Sequence, residues 1–134
     1  MRLYVVLGAL LALLGVMLGA FSAHGLKSML DTSALATFEV GVRYQMYHSL
    51  AILLVGGLAT QASLVWRKRA ALLFIIGSVL FSGSIYLLVL TGQKWLGPVT
   101  PLGGLCLMLG WVALVIGVMK GADNGADTSP GSDD

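Results

Sequence analysis

LYVVLGALLALLGVMLGAFSA, running from Leu3 to Ala23, contains no charged residue in its 21 positions. At 1.5 Å per residue such a segment makes a helix about 31 Å long, close to the thickness of a bilayer's hydrocarbon core. The stretch therefore reads as a membrane span. The composition of the whole chain agrees: 57% of residues are hydrophobic, 10% are charged, and the mean hydropathy is +0.92, values foreign to a water-soluble globular domain.

Three more segments approach the same length, Tyr44 to Leu64, Ala70 to Leu90 and Pro101 to Met119. Together the four predict an all-α integral membrane protein, an antiparallel bundle of four transmembrane helices within residues 1–120. The spans cover about 3–23, 44–64, 70–90 and 101–119 and leave no room for a separate soluble domain. The second helix is expected to begin earlier, at an N-cap from Thr32 or Ser33, because no proline interrupts the chain before Pro98. Its lead-in carries Glu39 and Arg43. Only VWRKR (65–69) separates spans two and three, a hairpin connection, while TGQKWLGPVT (91–100) joins spans three and four with breakers at Gly97, Pro98 and, just beyond, Pro101. Residues 121–134, rich in Gly, Asp and Ser, read as a disordered acidic tail.

The net charge is +2, and the basic residues are scattered apart from Arg67-Lys68-Arg69, so no nucleic-acid footprint is present. A lone Cys106 forms no intramolecular disulfide and no Cys/His group has zinc spacing; neither a metal nor a cofactor is expected. Arg2, the 67–69 cluster and Lys120 fall on one side of an even-numbered bundle, against Lys27, Arg43 and Lys94 on the other, which places both termini in the cytoplasm. Trp66 and Trp95 suit anchors at opposite interfaces. Met1-Arg2 and the small residues of Ala20-Phe21-Ser22 suggest a cleaved leader, but the apolar run exceeds the roughly 7 to 15 residues of a leader's core, and an uncleaved span is favoured.

Burying apolar surface does not hold helices together inside lipid, so small residues that let backbones approach mark the contact faces. Each span offers them seven residues apart: Gly8, Gly15 and Ser22; Ser49, Gly56 and Ser63; Gly77, Ser84 and Thr91; Gly103, Gly110 and Gly117. A repeat of seven keeps one stripe on its neighbour in a left-handed bundle crossing at about +20°. The first and fourth series are the expected contact faces, with Gly15 and Gly19 adding a GxxxG pair, although 18 glycines in one chain also produce such series by chance.

Counting the helical rise from the span ends puts His24 at the outer boundary, His48 about 24 Å from the inner edge and Tyr86 at a similar height. Gly25 is placed to stop the first helix in the left-handed conformation. A polar layer near the outer face would then gather His24, His48, Tyr86 and Cys106, with Glu39, Arg43 and Gln45 just above. Ionisable groups in or beside lipid raise a functional expectation, because burying them is costly unless they are paired. Plain structural readings stand beside it: Glu39 and Arg43 have the i, i+4 spacing of a helix-surface pair, and a histidine at a helix end can bond a loop carbonyl. Haem needs axial ligands that face each other across a core, and a boundary location for the two histidines argues against it. Met29 and Met46 beside them as copper donors are better read as packing. Conduction would need polar groups through the whole thickness, which the inner halves of the spans lack. No serine, cysteine or carboxylate has an activating partner, so no enzymatic activity is expected.

GAFSAHGLK (19–27), YQMYHSLAIL (44–53), GSVLFSGSIYLLVLTG (77–92) and VTPLGGLCLMLGWVAL (99–114) together resemble the YgdD/YwdK-like family of small bacterial membrane proteins, a domain of unknown function with a mitochondrial transmembrane counterpart in animals. The likeness covers nearly everything but the tail. The family's first motif more usually reads GAFGAHG, and Ser22 here keeps a small residue in place of its central glycine. The resemblance implies four helices in the bacterial inner membrane and brings no activity, substrate or catalytic residue. The leading expectation is a non-enzymatic accessory or assembly component of a membrane complex, whose partners are the lipid bilayer and other membrane proteins or its own copies. The alternative is an outer-leaflet pocket around His24, Arg43 and His48 for a lipid headgroup, quinone or small solute, with a haem or copper carrier behind it. What separates the first two is whether those side chains converge on an open cavity or bond one another.

Overall fold

In the computed structural model, which describes residues 1–123, four helices follow one another: α1 (Arg2–His24), α2 (Thr32–Gly57), α3 (Leu64–Thr91) and α4 (Val99–Lys120). Single 3-10 turns at Leu26–Ser28 and Lys94–Leu96 lie between α1 and α2 and between α3 and α4. Most of the segment that reads as an acidic tail, from residue 124 onward, lies outside the described residues. Among the described residues three stretches are long and apolar enough to cross a membrane: Arg2–Ser28, Leu64–Thr91 and Lys94–Lys120. α2 is as long as its neighbours, but its central turns carry Arg43, Gln45 and His48 and it falls short of their apolarity.

Close approaches at glycines give the register of each helix pair. Along α1, Gly8, Gly15 and Gly19 face Ile52, the Gln45-Met46 turn and Val42 of α2, so the two helices run antiparallel. Gly41 of α2 meets Tyr86 of α3, whereas Val55 at the other end of α2 accepts from Arg67, again antiparallel. Gly103, Gly110 and Gly117 of α4 lie on Phe81, Phe74 and Trp66 of α3, and Gly77 of α3 lies on Leu107. The approach at Gly103 is the tightest, since a Cβ there would stand 2.3 Å from the backbone nitrogen of Phe81. Backbones that close gain dispersion contact that larger residues would forbid.

Packing follows chain order. α1 lies on α2, α2 on α3 and α3 on α4, while α1 touches α3 only locally and has no extended contact with α4. Among the described residues the helices therefore make an open, staggered row, not a ring in which α1 closes on α4. The core sits between α2, α3 and α4, around Ile52, Val55, Ala70, Ala71 and Phe74. Gly8, Gly15 and Ser22 are the buried positions of α1, and Leu3, Leu10, Leu13 and Met17 of the same helix face outward. Gln45, His48, Ser49, Arg67, Ser82 and Ser84 are buried instead. Apolar outside and polar inside is the distribution that lipid imposes.

Several boundaries differ from those read off the sequence. The N-cap of α2 is Asp31, whose Oδ1 accepts from Ala34 N at 2.7 Å, so Thr32 and Ser33 are its first helical residues. α2 ends at Gly57 and not at Leu64, because Gly56-Gly57 is a weak helical pair followed by a polar turn in which Gln61 N and Ala62 N donate to Leu58 O. α3 then starts at Leu64, and the VWRKR segment forms its first turns and not a hairpin loop. Gly25 is right-handed (φ −69°, ψ −49°) and leads into the 3-10 turn. What its missing side chain provides is space, since a Cβ there would come within 2.7 Å of the Phe21 ring. Gly121, at φ +76°, does need glycine's freedom; two residues on, the Asp123 carboxylate accepts from Leu64 N at 2.7 Å and caps α3.

Candidate functional site

Gln45, 3% exposed, is the hub of the interior. Its Nε2 donates to the Leu11 carbonyl of α1 at 2.8 Å, and its Oε1 accepts from the Tyr86 hydroxyl of α3 at 2.6 Å. Those two partners fix the amide's orientation, for a carbonyl can only accept. One turn further, Ser49 Oγ donates to Gln45 O at 2.6 Å, and Ser82 Oγ of α3 donates to Gly41 O of α2, also at 2.6 Å. Gly41 makes this approach possible, since a Cβ there would come within 2.8 Å of the Tyr86 ring. The Tyr86 ring in turn lies 4.8 Å from that of Phe38.

His48 carries the network to α4. Its Nδ1 lies 2.7 Å from the Tyr44 carbonyl, and its Nε2 lies 3.1 Å from the Trp111 indole nitrogen. The indole can only donate and the carbonyl can only accept, so the imidazole is neutral, with its proton on Nδ1 and its Nε2 lone pair facing the indole. Phe74 and Trp111 pack against the ring at centroid distances of 5.5 and 5.9 Å. A groove of about 370 Å³ opens beside it, bordered by Tyr44, Phe81, Met108 and Trp111.

The remaining residues of the expected polar layer are elsewhere. His24 is exposed at the end of α1. Because Gly15 faces Gln45-Met46 and Gly8 faces Ile52, His48 is level with about Ala12, so the two histidines are separated by roughly 18 Å along the helices. They share no level of the membrane. Arg43 is exposed and Glu39 half-buried on α2, and the network around Gln45 and His48 passes through neither. Cys106 is half-buried on α4. Among the described residues no three His, Cys, Asp or Glu side chains gather closely enough to hold a metal ion.

The family described as a protein of unknown function (DUF423) matches residues 18–104 of this chain. The chain belongs to the DUF423 family. A UPF0382 membrane protein of Staphylococcus aureus is 43% identical over 120 residues, covering 90% of this chain and 98% of its own length. Its counterpart in Staphylococcus haemolyticus is 42% identical with the same coverage, and UPF0382 membrane protein YwdK of Bacillus subtilis is 41% identical over 121 residues. No solved structure matches. This DUF423 chain is thus a membrane protein of an uncharacterised family, and the matched segment holds Gln45, His48, Ser82 and Tyr86 and stops before Trp111.

Three members of the DUF423 interior escape a reading of the sequence alone. Ser82 stands one turn before Tyr86 on an apolar helix, and that i, i+4 polar stripe is its signal. Trp111 lies in the middle of the fourth span, away from either interface, where an indole N–H requires a partner. Arg67 is 6% exposed; its Nη1 donates to the Val55 and Gly56 carbonyls at 3.3 and 3.5 Å, placing a cation at the C-terminal end of α2, where the helix dipole favours one. Its Nε is buried and finds no partner among the described residues. Nothing in the order Arg67-Lys68-Arg69 tells which of the three turns inward.

Proposed function

We propose that this DUF423 chain spans the bacterial inner membrane four times with both termini in the cytoplasm, and acts without enzymatic chemistry as an accessory or assembly component of a larger membrane complex. One observation carries the reading: interior polar groups bond one another across helices, while among the described residues α1 keeps a broad apolar face that no other helix covers. Turnover needs a free acid, base or nucleophile beside a substrate, and the partners of Gln45, Ser82 and His48 engage them across the helix interfaces. α1 meets α2 along the strip of Gly8, Gly15 and Ser22, leaving Leu3, Leu10, Leu13 and Met17 for a neighbour in the bilayer.

α2 is favoured as a fourth span by its company. It lies along both α1 and α3, turns Gln45, His48 and Ser49 inward, and presents Val40, Tyr47, Leu50 and Leu54 outward. The orientation rests on Arg2, Lys68, Arg69 and Lys120 at one end of the row against Lys27 and Lys94 at the other. Ligand binding is the second reading. The groove beside His48 supports it, and it ranks second because both imidazole nitrogens are engaged and because His24 and Arg43 do not converge there.

Affinity purification in several mild detergents, followed by mass spectrometry, tests the proposal. Reproducible recovery of other membrane proteins is the expected result. Recovery of this chain alone, across detergents and growth conditions, sinks it.

A further inference from the structure

A second groove, of about 420 Å³, runs between α3 and α4 at the end that carries the basic cluster. Leu72 of α3 and Leu109, Val112 and Ile116 of α4 form its walls, and Trp66 and Arg69 close its end. Among the described residues the lining is apolar apart from one guanidinium, and it contains no acidic residue.

The polar end is fixed by its surroundings. Trp66 lies on Gly117, where a Cβ would come within 2.9 Å of the Trp66 Cβ, and Ser63 N donates to Gly117 O at 3.0 Å, fastening the start of α3 to the end of α4. The Arg69 guanidinium carbon stands 4.6 Å from the centroid of the Trp66 ring. A cation–π contact of this kind steadies the guanidinium, and among the described residues no side chain takes up its N–H groups. Arg67 turns the other way, onto the carbonyls of α2, and Lys68 is exposed and does not line the groove. Of the three adjacent cations, Arg69 alone faces the groove.

We propose that this groove holds one phospholipid with an anionic headgroup, an acyl chain along the α3–α4 walls and the phosphate on the edge of Arg69. Charge complementarity decides the occupant. Any acyl chain satisfies the walls, but a planar guanidinium held at their end offers two parallel N–H bonds to a phosphate, and its charge favours a headgroup that carries no compensating cation of its own. The inference goes beyond the association role and does not depend on it.

The full-length protein in nanodiscs of equal phosphatidylglycerol and phosphatidylcholine, released into native mass spectrometry, provides the test. The wild-type chain should retain phosphatidylglycerol in preference to phosphatidylcholine. Arg69→Ala should lower that ratio about five-fold, with Arg69→Lys in between, whereas Lys68→Ala, which removes the same charge one residue away, should leave it unchanged. Leu109 is half-exposed, so Leu109→Trp fills the groove from its open side and should reduce retention of both lipids with the cations intact. Equal retention of the two lipids by the wild-type chain, an equal loss from Lys68→Ala and Arg69→Ala, or full retention by Leu109→Trp would each overturn the proposal.

Discussion

Gln45 bonds with one end of its amide to α1 and with the other to α3, so a single side chain ties together three successive helices at mid-span. Interhelical hydrogen bonds in membranes are individually modest, and Gln45→Leu should lower the unfolding free energy by roughly 1 kcal/mol. Because Tyr86 donates to the same amide, Tyr86→Phe should cost less in the Gln45→Leu background than alone, a coupling that a double-mutant cycle in detergent micelles measures. Strict additivity would show that the bond contributes nothing. The polarity of Gln45 and His48 is legible in the sequence, as is their position within a span. Their partners are not, since partnership depends on the register between helices. Counting from Leu64 as the end of the apolar run misplaces His48, because α2 turns at Gly57. Those seven residues move it by about 10 Å, away from the boundary and from His24. Hydropathy marks what lies in lipid and does not mark where the backbone stops being helical.

Among the elements, the α3–α4 pair is the closest, and neighbouring glycines of α4 separate two roles that look identical in sequence. A Cβ on Gly103 would meet Phe81 backbone nitrogen at 2.3 Å, whereas one on Gly104 would rest against the Phe81 ring at an ordinary 3.7 Å. Gly103→Ala should therefore destabilise the protein by about 1–3 kcal/mol, because two backbones must separate, and Gly104→Ala should be close to neutral. Thermal unfolding of the two variants in one detergent decides the matter; equal effects would refute the register described for α3 and α4. The seven-residue spacing of Gly103, Gly110 and Gly117 is a property of the sequence, and so is the long apolar run of each spanning segment. The start of α3 is hidden because Arg67, Lys68 and Arg69 look like a loop by charge. In the structure Arg67 is inside, at the end of α2, and its neighbours are set outside by helical geometry.

At the scale of the whole molecule, the orientation is open to direct measurement. In a Cys106→Ala background, a cysteine in place of Lys68 should react with a membrane-impermeant thiol reagent only after the cells are opened, and one in place of Lys94 in periplasm-exposed cells without that step. The reverse pattern would invert the positive-inside assignment, and labelling of Asp31 and Gln61 replacements from the same side would remove α2 from the set of spans. The open row bears on how the protein is made. A ring of helices has to wait for its last member before its first can finish packing, but here every helix docks on the one synthesised just before it, and α1 and α4 have no extended contact to make. The chain can therefore settle in the order in which it leaves the ribosome, with each new segment meeting a surface that is already in place.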